Sequence, residues 1–270
     1  MNLYTSKKII CTIGPSIDDK EVLHELSKRG VDIFRINLSH APLEDIERLW
    51  RIGEELGITI GIDTEGAQLR TKIREGTSSV EMKKDEIINL SAVKDTFENE
   101  EGVIDLYPKS AINLLEEGDV IRFDFNGASS VVEKILSDHV ILRCISAGKI
   151  GDNKGADCKR PIELDDFTKK DLIALQIANK LGINHVFVSF CKGPEAILRV
   201  KENVEAAIVT SKIESKLSLS RLNDICNYTD ALLIDRGDLT REINILDVPF
   251  AQKAIIEVAN RFEVPCYVAT

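Results

Sequence analysis

Four short stretches of this sequence gather carboxylates, cationic side chains and oxygen donors within a few residues of one another. In Arg35-Ile-Asn-Leu-Ser-His40, an extended chain puts Arg35, Asn37 and Ser39 on one face and Ile36 and Leu38 on the other. Lys212-Ile-Glu214 places two opposite charges on one face in the same way. Asp63-Thr-Glu-Gly66 and Asp235-Arg-Gly-Asp238 add further acids. Taken singly, each has an ordinary explanation: an ion-paired arginine, a helix cap, a solvated strand end. Taken together, these groups suit a hard cation beside a phosphoryl group. Oxygen ligands without His or Cys point to Mg2+ or Mn2+, with K+ as a further candidate. Neither a Walker loop nor a Gly-x-Gly-x-x-Gly follows a strand, so a nucleotide would need another holding device.

The elements that must carry these residues alternate at both ends of the chain. Lys8 to Ile13, Val31 to Ile36 and Ile58 to Ile62 read as buried strands. Between them, Asp18/Asp19 opens a helix with Val22, Leu23 and Leu26 on one face. Pro42 opens another carrying Leu43, Ile46, Leu49, Trp50 and Leu56, stopped by Gly57. From about Thr71 to Arg160 the pattern changes to short alternating segments: Glu86–Leu90, Val120–Phe125, Ser130–Leu136 and Val140–Cys144. Asn126-Gly127 and Ser137-Asp138 are the expected turns there. Thr168 and Asp171 mark a helix start, Gly182 its stop, and Gly193-Pro194 the next helix. Asn184–Ser189, Ala207–Thr210, Ala231–Ile234 and Val264–Ala269 complete seven strands. The expected class is α/β: a TIM (β/α)8-type barrel truncated after strand seven, with a small β-barrel domain inserted after strand three. Its parts would be 1–71 and 161–270 for the barrel and 72–160 for the insert. Every strand except the first and fourth delivers charged or hydroxyl groups to the C-terminal rim, where such barrels carry their chemistry.

Composition narrows the field. The net charge of −10 comes without a basic stripe, so no nucleic-acid partner is expected. No apolar run approaches the ~18 residues of a membrane span, and the N-terminus does not read as a signal peptide. No membrane partner and a cytoplasmic location follow as expectations. The six cysteines show no Cys-x-x-Cys spacing and the four histidines are scattered, so neither a zinc site nor a disulfide framework is expected.

Cys11-Thr-Ile-Gly-Pro15, Arg35-Ile-Asn-Leu-Ser-His40, Asp63-Thr-Glu-Gly66, Ser211-Lys-Ile-Glu214, Arg236-Gly-Asp-Leu239 and Ala269-Thr270 occur in that order. Together they resemble the successive signatures of the pyruvate kinase family, and the segment ending Lys154-Gly155 resembles its mobile B domain. The resemblance covers nearly the whole chain. It implies transfer of the phosphoryl group of phosphoenolpyruvate to ADP, giving pyruvate and ATP, with Mg2+ or Mn2+ and with K+. Arg35 and Lys212 would hold and neutralise the phosphoryl group. Glu214 and Asp238 would hold the divalent metal, and N–H groups around Gly237 and Asp238 the substrate carboxylate. Asn37, Ser39, Asp63 and Thr64 would hold the monovalent cation. Pro15, His40, Arg70 and Lys154 would serve the nucleotide and its phosphates, and Thr270 would face the enolate carbon.

The sequence also departs from the family pattern. Glu65, Ala67 and Gln68 stand where Lys, Pro and Glu are usual; Ala41 and Thr240 each replace a Gly; Asp235 replaces an Ala. Asp124-Phe-Asn-Gly127 and Ala156-Asp-Cys-Lys159 differ from the usual B-domain motifs. The eighth βα unit and the C-terminal domain of typical members are missing, as in a fragment of a longer chain. No allosteric effector site is expected, and any homo-oligomer would be weakened. Two alternatives stand beside phosphotransfer: a degenerate module that binds without turnover, and a metal-dependent barrel enzyme acting on pyruvate or another 2-keto acid.

Overall fold

A computed structural model describes residues 7–66, 68–73, 79–91, 104–124, 127–137, 139–160, 162 and 164–269. The chain divides into two compact units, Met1–Gly66 with Asp166–Thr270, and Ala67–Asp165. The first unit opens with β1 (Ile10–Ile13), α1 (Lys20–Lys28), β2 (Ile33–Asn37), α2 (Glu44–Leu56) and β3 (Thr59–Asp63). Asp19 caps α1 by accepting from the Glu21 and Val22 N–H groups, donors that the first turn leaves without helical partners. α2 begins at Glu44 rather than at Pro42, with Leu43 as its cap residue. Glu44, Asp45 and Glu47 fill its first turn, where the helix dipole favours negative charge.

The second unit contains β4 (Arg70–Ile73), β5 (Ser79–Met82), β6 (Ile87–Ser91), β7 (Ile104–Tyr107), α3 (Lys109–Ile112), β8 (Val120–Phe123), β9 (Ser129–Ile135), β10 (His139–Ser146), β11 (Gly148–Gly151) and β12 (Ala156–Cys158). β12, β8, β9, β10 and β6 form one antiparallel sheet in that order, while β11 with β5 and β4 with β7 form separate pairs. Leu90, Leu106, Phe123 and Leu142 belong to a core of this unit's own. β4, β5, β7, β11, β12 and α3 are additional to the elements read from the sequence. Each is only three or four residues long, too short for alternation to stand out. Asn126 and Asp138, from the two expected turns, lie outside the described residues.

The first unit resumes with α4 (Lys169–Leu181), β13 (His185–Val188), α5 (Pro194–Asn203), β14 (Ile208–Ile213), α6 (Lys216–Ser220), α7 (Leu222–Cys226), β15 (Ala231–Ile234), α8 (Arg236–Leu239), α9 (Val248–Arg261) and β16 (Cys266–Val268). Its strands pair in the order β1-β2-β3-β13-β14-β15-β16, all parallel. Parity assigns the two faces. Phe34, Ile36, Ile60, Ile62, Val186, Val188, Val209, Ile213, Leu232 and Ile234 turn outward and share one core with Leu23, Ile46, Leu175 and Ile255 of the helices. Ile33, Phe187 and Leu233 turn the other way and pack with Ile10 and Tyr267 in a separate cluster. In a flat sheet β1 and β16 would stand about 29 Å apart at the usual strand spacing. A shared cluster of their side chains therefore requires the sheet to curl, as barrel sheets do. Among the described residues no helix is long and apolar enough to cross a membrane. All six cysteines are free thiols.

The segment that returns the chain to this sheet is anchored at the end of β3. Thr168 and Asp171 form a reciprocal capping box on α4, as the sequence suggests. Asp171 does more: its carboxylate also accepts from the Glu65 N–H at 2.7 Å and the Gly66 N–H at 3.2 Å. It is fully buried, and burial pushes its carboxyl above the usual range, against the pull of the backbone donors from Thr168 and Glu65. Asp171→Ala would strand several buried N–H groups and should cost about 3 kcal/mol. Thr168→Ala, which removes one cap, should cost about 1 kcal/mol. Chemical denaturation of the two variants checks the difference; equal losses would show that the tie to Glu65 and Gly66 carries no weight.

Candidate active site

Above the inward apolar layer, the next inward residue is polar on every strand of this sheet except β16, which offers Ala269. β2 presents Arg35 above Ile33; β3 presents Asp63 above Gly61. β13 runs from Phe187 to Ser189, β14 carries Lys212, and β15 leads from Leu233 to Asp235. These side chains meet. The Lys212 ammonium lies 2.9 Å from Glu214 Oε1, 3.4 Å from Asp63 Oδ1 and 3.9 Å from Asp235 Oδ2. It donates to the Ser189 hydroxyl at 2.9 Å, and Ser189 donates in turn to Asp63 Oδ1 at 3.1 Å. Asp63 Oδ2 also takes Arg35 Nη1 at 3.2 Å. The Arg35 guanidinium lies 5.6 Å from the centre of the Phe187 ring and donates to Thr12 Oγ1 through Nη2 and Nε, at 2.6 and 3.1 Å. Ionic, hydroxyl and cation–π contacts together hold this arginine in one place.

Strands one and four therefore do contribute, through Thr12 and Ser189, against the sequence expectation. Ser189 holds the same inward parity as Asp63 and Lys212, so strand alternation could have found it. Thr12 lies within the first motif, but a single hydroxyl carries little signal.

Burial sets the electrostatics. Lys212 retains 6% of its exposure, Glu214 1% and Asp63 none, which rules out a solvated strand end. Burial opposes the charge on Lys212, but Asp63 and Glu214 overcome it and hold the ammonium above its usual range. Burial pushes the Glu214 carboxyl upward, with Lys212 pulling down and Asp238 and Asp235 pushing up. Glu214 Oε2 accepts from the Phe190 N–H at 2.6 Å. Phe190 adopts φ 49°, a left-handed turn uncommon for a bulky residue. Gly66, at φ +69°, passes so close that a Cβ there would sit 2.9 Å from Ser189 O. Only glycine fits that position without a shift.

Asp238 stands in the first turn of α8, where Arg241 Nη1 contacts its Oδ1 at 3.1 Å. Gly237 is exposed beside it. Asp235 caps α8 and faces the Asp238 N–H at 3.5 Å. Arg236 does not pair with it in the hydrogen bonds described, but donates to Ala269 O. Of the residues suggested for a monovalent ion, Asn37 and Asp63 are register partners on β2 and β3. The Ser39 N–H donates to Asn37 Oδ1, and Thr64 Oγ1 accepts from the Ser189 N–H. Glu65, one of the departures noted above, meets Lys170 at 3.3 Å and accepts from the Thr168 hydroxyl, while Lys170 also donates to Leu38 O. Pro15 and His40 are exposed on the first unit. Arg70 and Lys154 lie together in the second unit. Arg70 Nη1 donates to Asn153 O, and Thr71 exchanges hydrogen bonds with the Lys154 backbone at 2.7 and 2.8 Å. Thr270 lies outside the described residues.

The model of the pyruvate kinase barrel domain matches residues 4–270. The chain belongs to the pyruvate kinase family. Its relatives include the pyruvate kinases of Staphylococcus haemolyticus, 28% identical across 97% of this chain and 47% of that protein, and of Aeropyrum pernix, 29% identical across 94% and 56%. That of Thermotoga maritima is 30% identical across 98% and 59%. The chain thus spans about half the length of the curated relatives it matches.

The geometry gives the family's barrel domain a specific electrostatic test in this chain. Asp63 holds both Arg35 and Lys212. Removing it would leave two poorly exposed cations without their shared counter-ion. Asp63→Ala should destabilise the fold by about 3 kcal/mol or more, read from chemical denaturation. A loss below about 1 kcal/mol, the range of surface pairs, would contradict the buried network.

Proposed function

We propose that this chain carries out phosphoryl transfer of the pyruvate kinase type, from phosphoenolpyruvate to ADP, giving pyruvate and ATP. The observation that carries this reading is the convergence of Lys212 and Glu214, from the end of β14, with Asp238, from the first turn of α8, at one end of the sheet. Such transfer needs positioning and charge neutralisation more than covalent help. Arg35 would bind the phosphoryl oxygens, its orientation fixed by Asp63, Thr12 and Phe187. Lys212 would neutralise charge as the phosphorus–oxygen bond to the enol breaks and the bond to the nucleotide oxygen forms. The enolate left behind takes a proton at carbon, and Thr270 would stand on that side. N–H groups near Gly237 and Asp238 would receive the substrate carboxylate.

The donor set fits a divalent cation: one carboxylate oxygen from each of Glu214, Asp235 and Asp238 lies within 4.8 Å of the others. Glu214 and Asp238 would hold Mg2+ or Mn2+, which when bound lends positive charge to the phosphoryl group and the enolate oxygen. K+ at Asn37, Ser39, Asp63 and Thr64 would share Asp63 with the two cationic side chains already on it. Pro15, His40, Arg70 and Lys154 would serve the nucleotide, the last two from the second unit, which we equate with the family's inserted B domain.

A second reading, binding of metal and anion without turnover, is favoured by Asp235. Its carboxylate faces the Asp238 N–H that a substrate carboxylate would use. A coupled assay with phosphoenolpyruvate, ADP and Mg2+, with and without K+, separates the two. Turnover is expected, and Lys212→Met should lower kcat by about a hundred-fold or more, the cost of one preorganised electrostatic contact of ~3 kcal/mol. No ATP from well-folded protein, with Mn2+-dependent oxalate binding retained, would instead establish the non-catalytic reading.

A further inference from the structure

Asp235 is an acid that the proposed reaction does not use, yet it points into the site. It shares with Glu214 and Asp238 a cluster whose ligand oxygens all lie within 4.8 Å of one another. Two observations separate this cluster from a chance grouping of surface acids. The first is Glu214 itself, 1% exposed. Its Oε1 has no aligned hydrogen-bond donor, although Lys212 Nζ lies 2.9 Å away. A buried carboxylate oxygen that accepts no aligned hydrogen bond has lone-pair capacity for a second positive partner beside the ammonium. The second is the distribution of charge. Asp63 engages Arg35 and Lys212, and Asp238 engages Arg241. Asp235 has only long contacts by comparison, 3.9 Å to the Lys212 ammonium and 3.5 Å to the Asp238 N–H. Four carboxylates (Asp63, Glu214, Asp235 and Asp238) therefore face three cations (Arg35, Lys212 and Arg241), and Asp235 is the acid least matched.

We propose that Asp235 is a third carboxylate ligand for a divalent cation, so that Glu214, Asp235 and Asp238 take up Mg2+ or Mn2+ before any substrate arrives. This rests on the reading that Glu214 and Asp238 hold the divalent metal, and it adds a residue and an order of binding to that reading. Without Asp235, Glu214 and Asp238 are opposed by Lys212 and Arg241, and little net charge remains to draw a dication. With it, the site gains a charged oxygen ligand, and affinity for a hard cation rises with the number of such ligands. Asp235 and Asp238 are both partly exposed, their side chains 23% and 30% accessible against none for Glu214, so an entering ion can reach them.

Titration of the chain with Mn2+ alone, with free Mn2+ read by electron paramagnetic resonance, tests the proposal. Asp235→Asn and Asp235→Ala should each weaken Mn2+ binding about ten-fold or more while keeping the circular dichroism spectrum of the unaltered chain. Glu214→Gln and Asp238→Asn should weaken it as well. If both Asp235 variants bind as tightly as the unaltered chain while Glu214→Gln and Asp238→Asn bind poorly, the third ligand is overturned and the two-carboxylate reading stands. If the unaltered chain takes Mn2+ only with oxalate present, early uptake through Asp235 is likewise overturned. If none of the four substitutions changes Mn2+ binding, both the proposal and the reading beneath it fall.

Discussion

A single buried ammonium organises this site. Lys212 reaches Glu214, Asp63, Ser189 and the edge of Asp235, and each contact comes from a different part of the chain. Charges so poorly hydrated are costly to bury, and their mutual attraction repays that cost only with good geometry. The network is thus a poor way to stabilise a fold and an effective way to fix positions. A change in any strand end would alter the position of this one cation.

The curl of the sheet makes the network possible. Inward residues of neighbouring strands stand parallel on a flat sheet and converge on a curled one. Here the inward layer of Ile33, Phe187 and Leu233 fills the narrow interior, and the charged layer rests on it. Phe187 belongs to both levels, because its ring packs in the apolar cluster and also lies beneath the Arg35 guanidinium. The small Gly61 leaves it room: a Cβ there would meet the ring at 3.0 Å.

Much of this was legible in the sequence, for a physical reason. Buried parallel strands force side chains to alternate, so Arg35 with Asn37 and Lys212 with Glu214 announce a shared face before any fold is known. Ala231–Ile234 was bounded to the residue, and the capping box at Thr168 and Asp171 was read from spacing alone. What escaped were groups whose role comes from tertiary partners. Ser189 and Thr12 carry only hydroxyls, and their importance depends on which ion they face. Asp171 looked like a helix cap, and nothing local reveals that its carboxylate also holds the chain at Glu65 and Gly66. Arg241 is almost buried against Asp238, while the sequence shows only an arginine after a motif. In the second unit, short strands and the register shifts between β9 and β10 blurred the alternation.

The clasp formed by Asp171 has a consequence for how such a chain tolerates a large insertion. Glu65 and Gly66 are the last residues before the second unit, and Thr168, Lys170 and Asp171 follow soon after it. Hydrogen bonds and an ion pair join these two points directly. The parallel sheet is thereby sealed at the very place where it is interrupted. Lengthening a connection whose ends are already fixed adds little entropic cost. The intervening segment is then free to change in size and sequence while the strands on either side keep their register.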